Sequence, residues 1–191
     1  WEIKGGLQKN IQSHSDKDEQ KLFNPATEFA NEQTTLDITL VMCFFAMHCY
    51  DIKSEVTSLD HFKKVKDQVA LYLKNRIYDE GSLLDYYKNH QTILLGDGEL
   101  IDPIQLKKMS IFWFRDKEGE NEANCGHSQA AVFDKYIYDS KNNTLLSSAR
   151  PTNLFWLTKL SNMIQQDFTL TEFWIKLEEW KQRRDNILKK N

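Results

Sequence analysis

Residues 147–182 read SSARPTNLFWLTKLSNMIQQDFTLTEFWIKLEEWKQ, and their reading decides the fold class. Three of the five tryptophans are here: Trp156, Trp174 and Trp180. The run is too polar to cross a membrane and too aromatic for a loop, so it reads as two helices packed on each other. Pro151, following Arg150, sits where a first helical turn accepts proline, and Leu154, Trp156, Leu157 and Leu160 follow it. Thr169-x-x-Glu172 is a capping box for the second helix, with Phe173, Leu177 and Trp180 on one stripe. The basic end KQRRDNILKK suits the negative end of a helix dipole.

Working outward, 191 residues predict one compact domain, here residues 23–191, behind a polar, aperiodic arm over 1–22. With 40% hydrophobic and 12% aromatic residues the chain is not disordered as a whole. Only 7 Gly and 3 Pro argue against a sandwich or barrel with many tight turns. A net charge of −3 is not the balance of a nucleic-acid-binding protein. No apolar run reaches the roughly 18 residues of a membrane span, and no signal peptide is visible. Cys43, Cys49 and Cys125 are an odd, sparse set, which predicts thiols in a reducing compartment.

Phe23 to Ala30 reads as a capped turn, and Leu36 to Tyr50, apolar almost all round but carrying Asp37, as a central core helix holding Cys43 and Cys49. Thr57-x-x-Asp60 opens an amphipathic helix through Phe62, Val65, Val69, Leu73 and Ile77, ended by Gly81. Ser82-x-x-Asp85 starts a short helix. Residues 91–103 hold a Gly-Asp-Gly turn and at most a small hairpin. Helices are expected over 104–114 and 125–138, with a turn at 139–143. The fold expected is mainly α, six to eight helices around one core.

Asn124-Cys125-Gly126-His127 is the sharpest chemical cluster. A cysteine at a helix start has a lowered pKa and can be a nucleophile; deSUMOylase-type peptidases pair it with an upstream His, for which His48 and His90 are the candidates, and His127 completes the local cluster. Cys43, His48 and Cys49 lack the helical spacing of metal ligands, so no metal and no cofactor is expected. The cations Lys107, Lys108, Arg115, Arg150, Lys181, Arg183 and Arg184 are candidates for docking acidic peptides through charge-assisted hydrogen bonds.

The order of landmarks resembles a family. Pro25, Glu28, Phe29 and Ala30 form P-x-x-E-F-A; LVMCFFAMH follows, then His127, Arg150-Pro151, Phe155-Trp156, Leu160 and a last helix with Trp180 and Lys181. Loosely over residues 23–181, this resembles the cytoplasmic domain of the DotM (IcmP) and TrbA family of type IVB secretion and conjugation coupling complexes. Met163-Ile164-Gln165 stands where the family carries Gly-Arg. The resemblance implies a non-enzymatic bacterial adaptor, cytoplasmic or the cytosolic part of an inner-membrane protein. Its partners would be the coupling ATPase, other secretion subunits and acidic peptide signals, with membrane contact only through a segment outside this chain. A first residue Trp1 rather than Met fits such a fragment. Two other readings stand beside it: a helical immunity or antitoxin-like protein that blocks a toxin, and a cysteine hydrolase using Cys125.

Overall fold

The apolar run after Leu36 folds as helix, as its length requires. The computed structural model describes residues 3–4, 7–8, 31–90, 98–115, 119–128 and 136–189. Two short strands, β1 (Ile3–Lys4) and β2 (Leu7–Gln8), pair antiparallel; the rest of the expected arm and the 23–30 turn lie outside the described residues. Helix α1 (Glu32–Ala46) is capped by Asn31, whose side chain accepts the Thr34 N–H. It buries Ile38, Val41, Met42 and Phe45, the spacing of one helical face. Cys49 is buried just past its end, whereas Cys43, expected inside, is exposed.

Helix α2 (Leu59–Asn75) takes Ser58 as its cap, one residue past the expected Thr57. It ends at Asn75 because Arg76 is already extended; Gly81, at φ 109°, instead turns the hairpin of β3 (Ile77–Tyr78) and β4 (Gly81–Ser82). Ser82 then accepts the Asp85 N–H at the start of α3 (Leu83–His90).

The second half corrects the mainly α expectation: the fold is mixed α/β. The expected 104–114 helix is a hairpin of β5 (Ile101–Asp102) and β6 (Lys107–Lys108), followed by one 3₁₀ turn at Ile111–Phe114. The hairpin expected at 91–103 is thereby displaced; residues 91–97 lie outside the described ones. The expected 125–138 helix contains β7 (Ala123–His127) and β8 (Ile137–Asp139), with 129–135 undescribed; β8 pairs with β9 (Thr144–Leu146) across the expected turn. The first of the two C-terminal helices becomes a 3₁₀ turn at Pro151–Asn153 and the strand β10 (Leu154–Thr158), followed only then by α4 (Lys159–Gln165). Helix α5 (Leu170–Leu188) keeps the expected Thr169–Glu172 capping box.

The physical reason lies in β10. All five of its residues are buried, so its apolar run has no polar face and matches a strand covered on both sides. It pairs antiparallel with β7, Trp156 opposite Cys125. Gly126 is what lets the two approach: a Cβ there would lie 2.3 Å from Leu157 Cδ2. On the other side α1 packs against β10, and the Trp156 indole donates to Met42 O at 2.8 Å.

A two-stranded ladder leaves each strand one open edge. Ser128 N donates to Asn153 O, and Lys159 N to Glu122 O. By antiparallel alternation Phe155 and Leu157 face β7, while Leu154, Trp156 and Thr158 turn their main-chain groups outward. Side chains stand at that edge: the Thr158 N–H donates to Asp102 Oδ2 at 2.8 Å, and Tyr87 donates its phenol proton to Pro151 O just ahead of the strand, with Leu154 O 3.4 Å away. Asp102, fully buried, also accepts from Ile104 N, Gln105 N and Ser161 Oγ, joining β5, β10 and α4.

Asp37 is the second buried anchor. Gln33 Nε2 and Tyr72 Oη donate to its Oδ1; Arg76 Nε and Tyr78 Oη donate to Oδ2, each of the last two at 2.6 Å. Burial, and then the Asp37 carboxylate, push the Tyr78 phenol far above its ordinary range, so it stays a donor. Among the described residues no helix is long and apolar enough to cross a membrane.

Asp102→Asn keeps the shape but points an amide donor at main-chain N–H groups. It is expected to cost about 3 kcal/mol in urea denaturation; a loss no larger than that of an exposed Asp→Asn control would show that Asp102 does not hold the edge of β10.

Candidate interaction surface

The loop from Pro103 to Arg115 is built outward from two aspartates. Asp102 Oδ1 accepts the N–H groups of Ile104 (2.9 Å) and Gln105 (3.0 Å), and Asp102 O accepts the Leu106 N–H at 2.8 Å, closing the β5–β6 turn. Asp51, just beyond α1, accepts the Ile111 N–H at 2.8 Å and a short hydrogen bond from Ser110 Oγ. Ser110 Oγ in turn accepts the Phe112 N–H, capping the 3₁₀ turn. Leu100 N donates to His48 O, and Tyr50 N to Met109 O, so the loop is laced to the end of α1.

What this frame displays is apolar and basic. Leu106, the last residue of the β5–β6 turn, is 53% exposed and has φ 56°, a left-handed backbone that leucine rarely adopts. Phe112, in the 3₁₀ turn six residues on, is also exposed, while Phe114 turns inward, edge-on to Trp156 with centroids 4.8 Å apart. The Lys107 ammonium lies 5.0 Å from the Trp113 ring centroid and donates to Asn121 Oδ1; the Arg115 guanidinium lies 6.0 Å from the Phe112 centroid. Lys108 pairs with Glu99 at 2.5 Å and Arg115 with Glu55 at 2.9 Å. These ion pairs are exposed and worth at most about 1 kcal/mol each, so their cations can exchange partners readily.

Lys107 and Arg115 therefore flank one 3₁₀ turn, over Trp113 and Phe112, whereas Lys108, next along β6, is turned to Glu99. The other sequence candidates do not join this turn. Arg150 is buried and donates to Ser147 O. Lys181, Arg183 and Arg184 lie on the exposed end of α5, paired with Glu178, Glu179 and Asp185. Leu106, Phe112, Trp113 and the anchor Asp51 were not singled out from sequence. The interleaving of bases and aromatics in LKKMSIFWFR was the available signal.

The cysteine cluster loses its premise. Cys125 lies within β7, not at a helix start, and burial raises its thiol pKa well above the ordinary range. The ring of His48 is turned to its own helix, Nδ1 donating to Phe44 O at 2.7 Å, and it stacks edge-on against Phe44. Burial lowers its pKa, with Lys66 adding repulsion, against the opposing hydrogen bond to Phe44. Among the described residues no three His, Cys, Asp or Glu side chains gather where they could hold a metal ion.

No family model matches the chain, and no curated protein or solved structure is significantly similar to it.

A thiol-reactive probe under native conditions is expected to label Cys43 about tenfold or more faster than Cys125, whose thiolate is disfavoured. A Cys125 that reacts as fast as a free thiol would restore the nucleophile reading. His48 carries the pH dependence. Its imidazole titrates near 6.5 when unfolded and lower when folded, so the unfolded chain takes up the proton first. Stability is therefore expected to be full above about pH 6.5 and to fall as the pH drops below it, with a smaller fall in His48→Gln; equal slopes for the two proteins between pH 7.5 and 5.5 would contradict this.

Proposed function

We propose that this domain is a protein-interaction module that captures acidic, partly apolar segments on the turn from Leu106 to Arg115. The observation that carries the reading is Leu106. A left-handed backbone costs a leucine on the order of 1 kcal/mol, and at Leu106 it holds up a side chain that is still 53% exposed. Such strain, held in place by a fully satisfied Asp102 beneath it, is characteristic of a ligand-docking element. Phe112 supplies a second apolar contact with the Arg115 guanidinium over its ring, and Lys107 supplies charge over the neighbouring Trp113.

In its specific form the proposal is an adaptor of a bacterial type IVB secretion or conjugation coupling complex, in the manner of the DotM and TrbA cytoplasmic domains. It would gather substrates with acidic signals for the coupling ATPase, on the cytoplasmic face of the inner membrane. The order of landmarks from Pro25 to Lys181 supports that form.

The test is binding of a glutamate-rich peptide carrying spaced leucines, followed by calorimetry over a salt series. Lys107→Glu and Arg115→Glu are each expected to weaken binding about tenfold, and salt to weaken it further. Leu106→Gly relieves the backbone strain while deleting the apolar knob, so it is expected to raise thermal stability and lower affinity together. Binding indifferent to both charge reversals and to salt would overturn the proposal.

A further inference from the structure

Helix α5 runs on well past its last buried residue. Leu170, Phe173, Leu177, Trp180, Arg184 and Ile187 recur at alternating steps of three and four, so they form one seam along the helix. The first half of that seam is used: Phe173 is buried, and Leu170 and Leu177 pack half-buried against the core. The second half continues with the same spacing but faces solvent, Trp180 being 46% exposed and Ile187 and Leu188 each 64%. An apolar stripe that outlasts its own core is a face shaped for another element.

The charges around it define that element. Helical geometry places Arg184 within the seam and Lys181 and Arg183 along its two sides, whereas Glu178 and Asp185 project from the back of the helix and Glu179 from behind Arg183. The pairs Lys181–Glu178 (3.5 Å), Arg183–Glu179 (3.7 Å) and Arg184–Asp185 (2.7 Å) join exposed groups, so they give way to better-placed carboxylates at little cost. A second copy of the chain is disfavoured, because parallel pairing, or antiparallel pairing in which the two exposed halves cover each other, sets Arg184 and its basic neighbours against their own counterparts.

We propose that the exposed half of α5 is a docking seam for an amphipathic helix of a partner protein, apolar along one stripe and acidic along its edges. The seam runs for about three turns, which matches roughly two heptads of a partner. It is a surface distinct from the Leu106–Arg115 turn and does not rest on that reading.

The probe is a synthetic helix of three heptads with leucine at a and d and glutamate at e and g, titrated into the full chain by calorimetry. A scrambled peptide of the same composition is the control. Binding of the ordered peptide is expected to weaken about tenfold in Ile187→Ser and by a similar factor in the Arg183→Glu/Arg184→Glu double variant. Both changes lie on exposed positions that the fold does not use, and circular dichroism checks that α5 persists. Equal binding of the scrambled peptide would reduce the seam to a charge effect and overturn the proposal. So would self-association of the unmodified chain that Ile187→Ser abolishes, since the occupant would then be a second copy. Partition onto phosphatidylglycerol vesicles with the same residue dependence, in place of peptide binding, would assign the seam to a lipid surface and equally overturn it.

Discussion

A strand buried on both faces and paired on only one edge governs this molecule. β10 has no water to satisfy its outward main-chain groups, and a buried N–H or C=O left unpaired costs about 1–3 kcal/mol. A third strand would be the usual solution. Here side chains stand in for it: Asp102 takes the Thr158 N–H, and Tyr87 donates to the Pro151 carbonyl where the chain enters the strand. The placement of β5, α3 and α4 around β10 follows from where those side chains must stand. The sheets elsewhere are hairpins of two or three residues per strand, and the same substitution recurs. Asp79 accepts from Ser140 and Lys141 N–H, while Asp139 accepts from Asp79 and Asn142 N–H, clasping the β3–β4 turn to the β8–β9 turn.

This arrangement explains what the sequence could reveal. Elements that bury one face and cap themselves locally were legible: α1, the amphipathic α2, α3 after Ser82, the turn at 139–143, and α5 with its capping box. β10 was not, because Leu154, Leu157 and Leu160 also fall at helical spacing, and Pro151 is as much at home in a 3₁₀ turn as in a helix. Its length of five was the better guide. β7 carries almost no strand signal, since Ala123, Asn124 and Gly126 are residue types depleted from strands. It is a strand because β10 needs a partner and Gly126 allows the approach. Asp37 was visible as an acid in an apolar helix, yet its partners Tyr72, Arg76 and Tyr78 lie 35–41 residues away, where no local pattern points.

The same device shapes the exposed surface. A loop that depends on water for its hydrogen bonds wanders, and a docking loop that wanders must be ordered at the moment of binding. From 103 to 115 the main chain instead hangs on Asp102 at one end and Asp51 at the other, with Phe114 driven against Trp156 beneath. Leu106 and Phe112 are thus held outward by a frame that shares its anchor with β10. The interior constraint and the displayed surface are two uses of one carboxylate.

That inward use of acids also changes how the net charge should be read. A balance of −3 argues against a surface for acidic partners only if the excess acids are on the surface. Among the described residues Asp37, Asp102, Glu122 and Asp139 are buried, against Arg150 alone among the bases. Among the described residues those four carboxylates and one guanidinium carry a net −3 into the interior, so the described surface is less negative than its composition by that amount. On the described surface a local pair such as Lys107 and Arg115, or the edge of α5, is not swamped by a general negative field. At ordinary ionic strength charges more than about 10 Å away are screened in any case.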